Sequence, residues 1–377
     1  MRDRGLSEEE VMKGLRKMRA KDLSYDRIFS SMCTPPHPIA LKAHQLFQET
    51  NLGDPGLFPG SADLEAEAVR MMAELLGHPE ACGYLSTGGT ESNIQAIRAA
   101  RNSADFRDGN IVVPRSAHFS FDKIGDLLSL EIRKADLDGD LKVDVGSVEE
   151  LIDEKTVSLV GIAGTTEFGQ VDPIDRLGRL ALDWGIRLHV DAAFGGFVLP
   201  FLGGDWRWDF SVEGVTSITI DPHKMGMATI PGGGLLFRHP EDLERLAAYA
   251  PYLTVARPKA LTGTRSGAAA AAIWAVMNRL GREGFKKVVD GCMGLSRRMV
   301  EGAKEIGIEP VMDPVMNVVT LRMDDPEGVR ASLLDRRWRV STTRSPKALR
   351  LIIMPHSTAE NVDLFLADLE DLLRKRA

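Results

Sequence analysis

Two runs, IRLHVDAA at residues 186–193 and SITIDPHK at 217–224, decide the fold. Each is short, rich in β-branched and aliphatic residues, and closes on polar groups. Apolar runs of about four to eight residues bounded by turn residues read as buried strands. Outward from these two, the same pattern recurs at Tyr84-Leu85-Ser86, at IVVP (111–114), at VSLVGIAG (157–164) and at GGLLFR (233–238). Helical spacing fills the gaps from Gly89 to about Arg101, from Ser120 to Ser129 and from Pro173 to Trp184. Short buried strands separated by helices predict an α/β fold, a mostly parallel sheet with helices on both faces.

The flanks read differently. SEEEVMKGLRKMRA, from Ser7, is an amphipathic helix with Ser7 as N-cap and Glu10 in the capping-box position. A Pro-rich stretch and the turn-rich loop NLGDPGLFPGS follow, and helical spacing resumes from Ala62 to Leu76. Past an Ala-rich helix near Arg265 to Leu280, the segments VVTLRM, RWRVSTTR and ALRLIIM and a closing helix suggest a smaller α+β domain. The expected division is 1–55 as an N-terminal helical segment, 56–275 as a large domain and 276–377 as a small C-terminal domain.

Composition sets limits. The chain has 377 residues, 44% hydrophobic and 27% charged, as expected of a protein with substantial cores. A net charge of −7 argues against broad nucleic-acid or anionic-membrane binding. Cys33, Cys82 and Cys292 are widely separated and form no CxxC pair, so neither a disulfide framework nor structural zinc is expected. The charged start MRDRGLSEEE has no apolar signal region, and no run approaches the ~18 apolar residues of a membrane span. A cytoplasmic protein is expected.

In open α/β sheets, ligands gather beyond the carboxyl ends of the strands. Ser86-Thr87-Gly88-Gly89-Thr90 precedes a helix, where glycines and free N–H groups favour an anion such as phosphate, although a plain capped turn reads the same. Asp191 ends a strand and would ligate a metal, cap a helix or pair with a cationic ring nitrogen. His189, on the same strand face, reads as structural. Lys224 ends another strand; an apolar setting would lower its affinity for a proton, as Schiff-base chemistry requires. His118, in SAHFSFDK, follows a strand.

Taken together, STGGTESN, SAHFSFDK, HVDAAFGG and DPHK, in that order, resemble the group II pyridoxal-phosphate (PLP) dependent decarboxylases. SMCTPPHP, NLGDPGLFPGS, APYLT and LRLIIMPH are similar to their archaeal L-tyrosine/L-aspartate decarboxylase branch. The resemblance implies a PLP-dependent transferase-like fold (fold type I) with a mainly parallel seven-stranded sheet and a smaller C-terminal domain. It implies Lys224 as the Schiff-base lysine, Asp191 on the pyridinium nitrogen, His118 and Ala193 on the two ring faces, and Thr166 near the 3-hydroxyl. Gly89 and Thr90, with His223, would bind the phosphate. Tyr252 would donate a proton to the substrate carbon after CO₂ loss.

Thr264 and Arg265 resemble residues that reach a neighbouring subunit's phosphate, which implies a homodimer with shared sites. Arg350 is expected to pair with the substrate carboxylate, and Asn51 and Asp54 to contact the substrate side chain, with a turn-forming role open for both. Only charge speaks for Arg344. The expected reaction is α-decarboxylation of tyrosine or aspartate, in methanofuran or coenzyme A precursor supply. Alternatives are another fold type I lyase reaction, sulfur transfer with Cys33 as the thiol to watch, and a metallohydrolase built on His118, His189, Asp191 and His223.

Overall fold

The computed structural model describes residues 1–104 and 106–375. Seven strands, β1 (Cys82–Ser86), β2 (Asn110–Pro114), β3 (Glu131–Ala135), β4 (Thr156–Ile162), β5 (Arg187–Ala192), β6 (Val215–Ile220) and β7 (Gly233–Phe237), form one sheet in the order β1-β7-β6-β5-β4-β2-β3. From β3 to β6 the strands are parallel; β7 runs against both of its neighbours. The connections explain this. Parallel neighbours need a crossover, and the helices Ser120–Leu128 and Ile174–Trp184 supply two of them. Between β6 and β7 lie only residues 221–232, with no helix, so the chain turns back on itself. That turn carries Asp221, His223 and Lys224.

One strand escapes the pattern read from sequence. In β3, EIRKA is mostly charged because it is the sheet's edge, paired to β2 alone, and edge strands commonly carry charges that discourage further pairing.

A second, antiparallel sheet of β8 (Val318–Arg322), β9 (Ser341–Arg344) and β10 (Lys347–Ile352) has β10 in the centre. Its core includes Phe29, stacked 5.5 Å from Trp338 and edge-on to Phe365. Phe29 N–H donates to the Arg339 carbonyl (2.8 Å), and its own carbonyl accepts from Ile352 (2.7 Å). The N-terminal segment is therefore not purely helical: part of it docks on the C-terminal sheet. A helix running Gly267–Glu305 joins the two regions and breaks at Gly281, whose φ of 54° suits glycine. Its alanines, Ala268 to Ala272, are buried against the helices Pro38–Leu46 and Pro59–Leu75. Ser7 and Glu10 form the expected capping box of the helix Glu8–Arg19, none of whose residues is buried.

Among the described residues no helix is long and apolar enough to cross a membrane.

Candidate active site

A cavity of about 330 Å³ opens where the loops after β1, β2, β4, β5 and β6 converge. It collects residues from six separate stretches of sequence, Met32 of the N-terminal segment among them. Lys224, His223 and Asp191 line it, as do Ala193 and Thr166. His118 and the pair Gly89-Thr90 complete the set expected from sequence.

Lys224 Nζ lies 3.1 Å from Asp221 Oδ2, and His223 Nε2 is 3.9 Å from the same oxygen. Asp221 is 1% exposed, and among the described residues its Oδ1 has no hydrogen-bond partner. An orphaned buried carboxylate oxygen is costly, so this wall of the cavity is built to face a polar ligand. His223 Nδ1 donates to the Gly232 carbonyl (2.5 Å), which orients the ring.

Asp191 accepts at both oxygens, from the Ala193 N–H (3.1 Å) and from Asn93 Nδ2 (2.8 Å). Across the site, His118 Nδ1 accepts from the Ser120 N–H (3.2 Å), which leaves any proton on Nε2. Burial holds the His118 imidazole below its ordinary pKa, with the Asp191 carboxylate opposing that shift. Its ring is a neutral plate at neutral pH, tilted against Phe119 with centroids 4.1 Å apart.

The helix Gly89–Ser103 begins at the cavity wall. Gly88 has a φ of 147°, and a Cβ there would sit 3.1 Å from His223 Cε1. A Cβ on Gly89 would sit 3.1 Å from Asp221 Oδ2 and 3.2 Å from Ala193 Cβ. Glycine is what lets this backbone approach, and the first N–H groups of a helix have no partners within it. Glu91 braces the turn by accepting from the Thr87 N–H (2.8 Å) and hydroxyl (2.7 Å).

The remaining expected residues lie elsewhere. Arg350, on β10, is 8% exposed; its Nε reaches across to the Thr166 carbonyl beyond β4 (2.5 Å), while Nη1 donates to Ser341 Oγ on the neighbouring β9 (3.0 Å). Among the described residues its Nη2 has no hydrogen-bond partner. Burial lowers its pKa to about 10, with Glu167 opposing the shift, so it stays charged at neutral pH. Arg344 is exposed.

Tyr252 is 84% exposed in a loop spanning 247–265 and does not line the cavity. Asn51 and Asp54 tether that loop: Asn51 Oδ1 accepts from the Arg265 N–H (3.0 Å), and Asp54 Oδ1 from the Thr254 N–H (2.9 Å). Thr264 lines a second cavity of about 370 Å³, separated from the first by Thr87, which faces both. The Arg265 guanidinium is engaged within its own chain by Glu65 (Nη2–Oε2 3.1 Å) and the Leu52 carbonyl (3.0 Å).

Asn93, Asp221 and Phe119 belong to the site but were not singled out from sequence. The signal for Asn93 was available. It shares a helix face with Ile97 and Ala100, at i, i+4 and i+7, and a polar residue on a buried apolar face needs partners. Among the described residues no three His, Cys, Asp or Glu side chains gather to hold a metal ion, so His118, His189, Asp191 and His223 make no ligand set.

A lysine, a buried carboxylate, a neutral imidazole and the open start of a helix, gathered on one cavity, fit PLP. With this sheet order they define a fold type I PLP-dependent enzyme. Residues 54–323 match the pyridoxal-dependent decarboxylase conserved domain, and the chain belongs to that family.

It is 65% identical to a probable L-tyrosine/L-aspartate decarboxylase of Methanothrix thermoacetophila, over 98% of this chain and 97% of the relative. It is 51% identical to a probable L-aspartate decarboxylase of Archaeoglobus fulgidus, over 97% of this chain and 100% of the relative. Among solved structures, a sphingosine-1-phosphate lyase from Burkholderia pseudomallei matches with a TM-score of 0.91 at 28% identity, covering 99% of this chain and 92% of that one.

Proposed function

We propose that this PLP-dependent decarboxylase removes the α-carboxylate of L-tyrosine or L-aspartate, giving tyramine or β-alanine. The observation that carries the reading is the convergence of Lys224, Asp191, His118 and the Gly89-Thr90 turn on one cavity, with Arg350 nearby and its Nη2 unpartnered among the described residues. When bound, the cofactor supplies a ring that accepts the electron pair left on Cα as CO₂ departs.

The chain's own residues do the rest. Gly89 and Thr90 would hold the phosphate through backbone N–H groups at the helix start, with His223 beside them. Asp191, an acceptor at both oxygens, would keep the ring nitrogen protonated. His118 and Ala193 would cover the two ring faces, and Thr166 would lie near the 3-hydroxyl. Lys224 would hold the aldehyde, yield to the substrate amine and then be free to move a proton. Arg350 would bind the substrate carboxylate, charged at neutral pH and reaching the cavity wall through Thr166. Asn51 and Asp54 would set the mouth of the site through the loop they tether.

The same reading assigns a homodimer with shared sites. Tyr252 is exposed and away from its own chain's cavity, so it would serve a partner's, protonating the substrate carbon; Thr264 would approach the partner's phosphate seat. The large domain would span 56–275 and the small domain 276–377. The enzyme would work in the cytoplasm and supply methanofuran or coenzyme A precursors.

A second reading, cleavage of a carbon–carbon bond without CO₂ release, has the 28% identical lyase in its favour. Sulfur transfer has less, because burial raises the pKa of the Cys33 thiol and keeps it protonated. The deciding experiment is incubation of PLP-loaded protein with tyrosine and with aspartate at equal concentration, measuring CO₂ and primary amine. Release of neither from either substrate refutes the reading. An absorbance band near ~420 nm, removed by borohydride and missing in Lys224→Ala, would assign the lysine.

A further inference from the structure

We infer that Asn93 is a positioning residue that fixes the Asp191 carboxylate toward the cofactor ring nitrogen, and that His189 and Thr219 lock Asn93 in turn. The inference rests on the PLP reading above and goes beyond it.

Asn93 is 1% exposed, in the second turn of the helix Gly89–Ser103, at the point where that helix crosses β5 and β6. Its amide makes four hydrogen bonds, the full capacity of the group. Nδ2 donates to Asp191 Oδ2 (2.8 Å) and to Ser120 Oγ (3.1 Å). Oδ1 accepts from Thr219 Oγ1 (2.8 Å) and faces His189 Nε2 at 3.0 Å.

These partners allow only one orientation. Turned over, the amide would set its carbonyl against the Asp191 carboxylate, two acceptors with no proton between them. His189 supplies the reason it does not turn. Full burial brings the pKa of this imidazole down to about 4, so it is neutral and donates from one nitrogen only. Nε2 faces an acceptor-only oxygen and so carries the proton, while Nδ1 accepts from Ser217 Oγ (2.9 Å).

Asn93 is the only side chain that donates to Asp191 among the described residues; the other donor is the Ala193 N–H. Without Asn93, Oδ2 would lose its donor and the carboxylate would turn more freely about its χ torsions. A core needs none of this for packing, since Ala96, Ile97 and Ala100 on the same helix are apolar. A fully satisfied buried polar network at this place is explained by what it holds.

The test is a double-mutant cycle read as PLP affinity, by absorbance titration of cofactor-stripped protein. Asn93→Ala should weaken PLP binding about tenfold. In an Asp191→Ala background, where no carboxylate remains to be positioned, the same change should cost less than about twofold. Wild-type affinity in Asn93→Ala, or an equal loss in both backgrounds, overturns the inference. Should Asn93→Ala fail to fold without cofactor, Thr219→Val, which keeps the shape of the site, carries the same cycle with an expected loss of about threefold. A wild-type chain that takes up no PLP would overturn the functional reading and this inference with it; a defect confined to the variants bears on Asn93 alone.

Discussion

Asp221 Oδ2 stands 3.1 Å from Lys224 Nζ, three residues further along the same turn, while the other oxygen of Asp221 is buried and has no partner among the described residues. The pair is asymmetric. The Asp221 side chain is 2% exposed and that of Lys224 20%, so the carboxylate depends on the ammonium more than the reverse. Removing one partner of a buried pair leaves the other uncompensated. Lys224→Ala is therefore expected to lower the unfolding free energy of the cofactor-free protein by ~3 kcal/mol, and Lys224→Ala/Asp221→Asn to recover most of it. Urea denaturation of both variants checks this; a double variant no more stable than the single one contradicts it.

Arg350 leads to a prediction about substrate alone. Its Nε is held by the Thr166 carbonyl, and among the described residues its Nη2 has no hydrogen-bond partner. Lysine cannot reproduce that forked geometry. Arg350→Lys should raise KM for the amino acid about tenfold or more while PLP uptake stays within about twofold of wild type. Steady-state kinetics beside a cofactor titration separate the two, and an unchanged KM would remove Arg350 from the substrate site.

Tyr252 tests the shared site. Neither Lys224→Ala nor Tyr252→Phe homodimers should make amine at a normal rate. A random mixture of the two should regain about a quarter of wild-type activity, because half of the dimers are hybrids and each hybrid has one intact site. Activity no greater than the sum of the parents would place Tyr252 outside the partner's cavity. Within its own homodimer, Tyr252→Phe should also divert turnover toward transamination, since the carbon left by CO₂ would lack its proton donor.

Two buried groups act on stability in opposite directions with pH. Burial depresses His189 to about 4, below its unfolded value near ~6.5, so its contribution is present above ~6.5 and is lost as pH falls toward 4. Burial raises Asp172 to about 7, against the donated N–H bonds of Val143 (2.8 Å) and Ile162 (2.7 Å), so its contribution is present below ~3.9 and lost as pH rises toward 7. Between roughly pH 4 and 6.5 the two offset one another. Unfolding free energies of the cofactor-free protein at pH 4.5 and 6.5 should rise with pH more steeply in Asp172→Asn than in wild type, and less steeply in His189→Gln. Parallel slopes in all three proteins would contradict the assignment.

How much of the site was legible in sequence follows from how each residue signals itself. Lys224, Asp191, His118 and the Gly89-Thr90 turn sit at strand ends, in local patterns that one-dimensional reading detects. Asn93 lies within STGGTESN but carries no local signal of its role, because its meaning depends on His189 and Asp191, ~100 residues away on β5, and on Thr219 of β6. Strand β3 was missed because the charges on an edge strand erase the apolar run by which strands are recognised.

The sequence by itself determined the alternation of strands and helices, the capping box of Ser7 and Glu10, and the chemistry available at each strand end, since these depend on neighbours along the chain. Only the tertiary structure decided that Phe29 joins the C-terminal core, that Asn51 and Asp54 tether the Tyr252 loop rather than line the cavity, and that Arg350 turns inward from the centre of the small sheet to Thr166. Burial and hydrogen-bond partners across 180 or more positions are set by packing, and no local pattern encodes them.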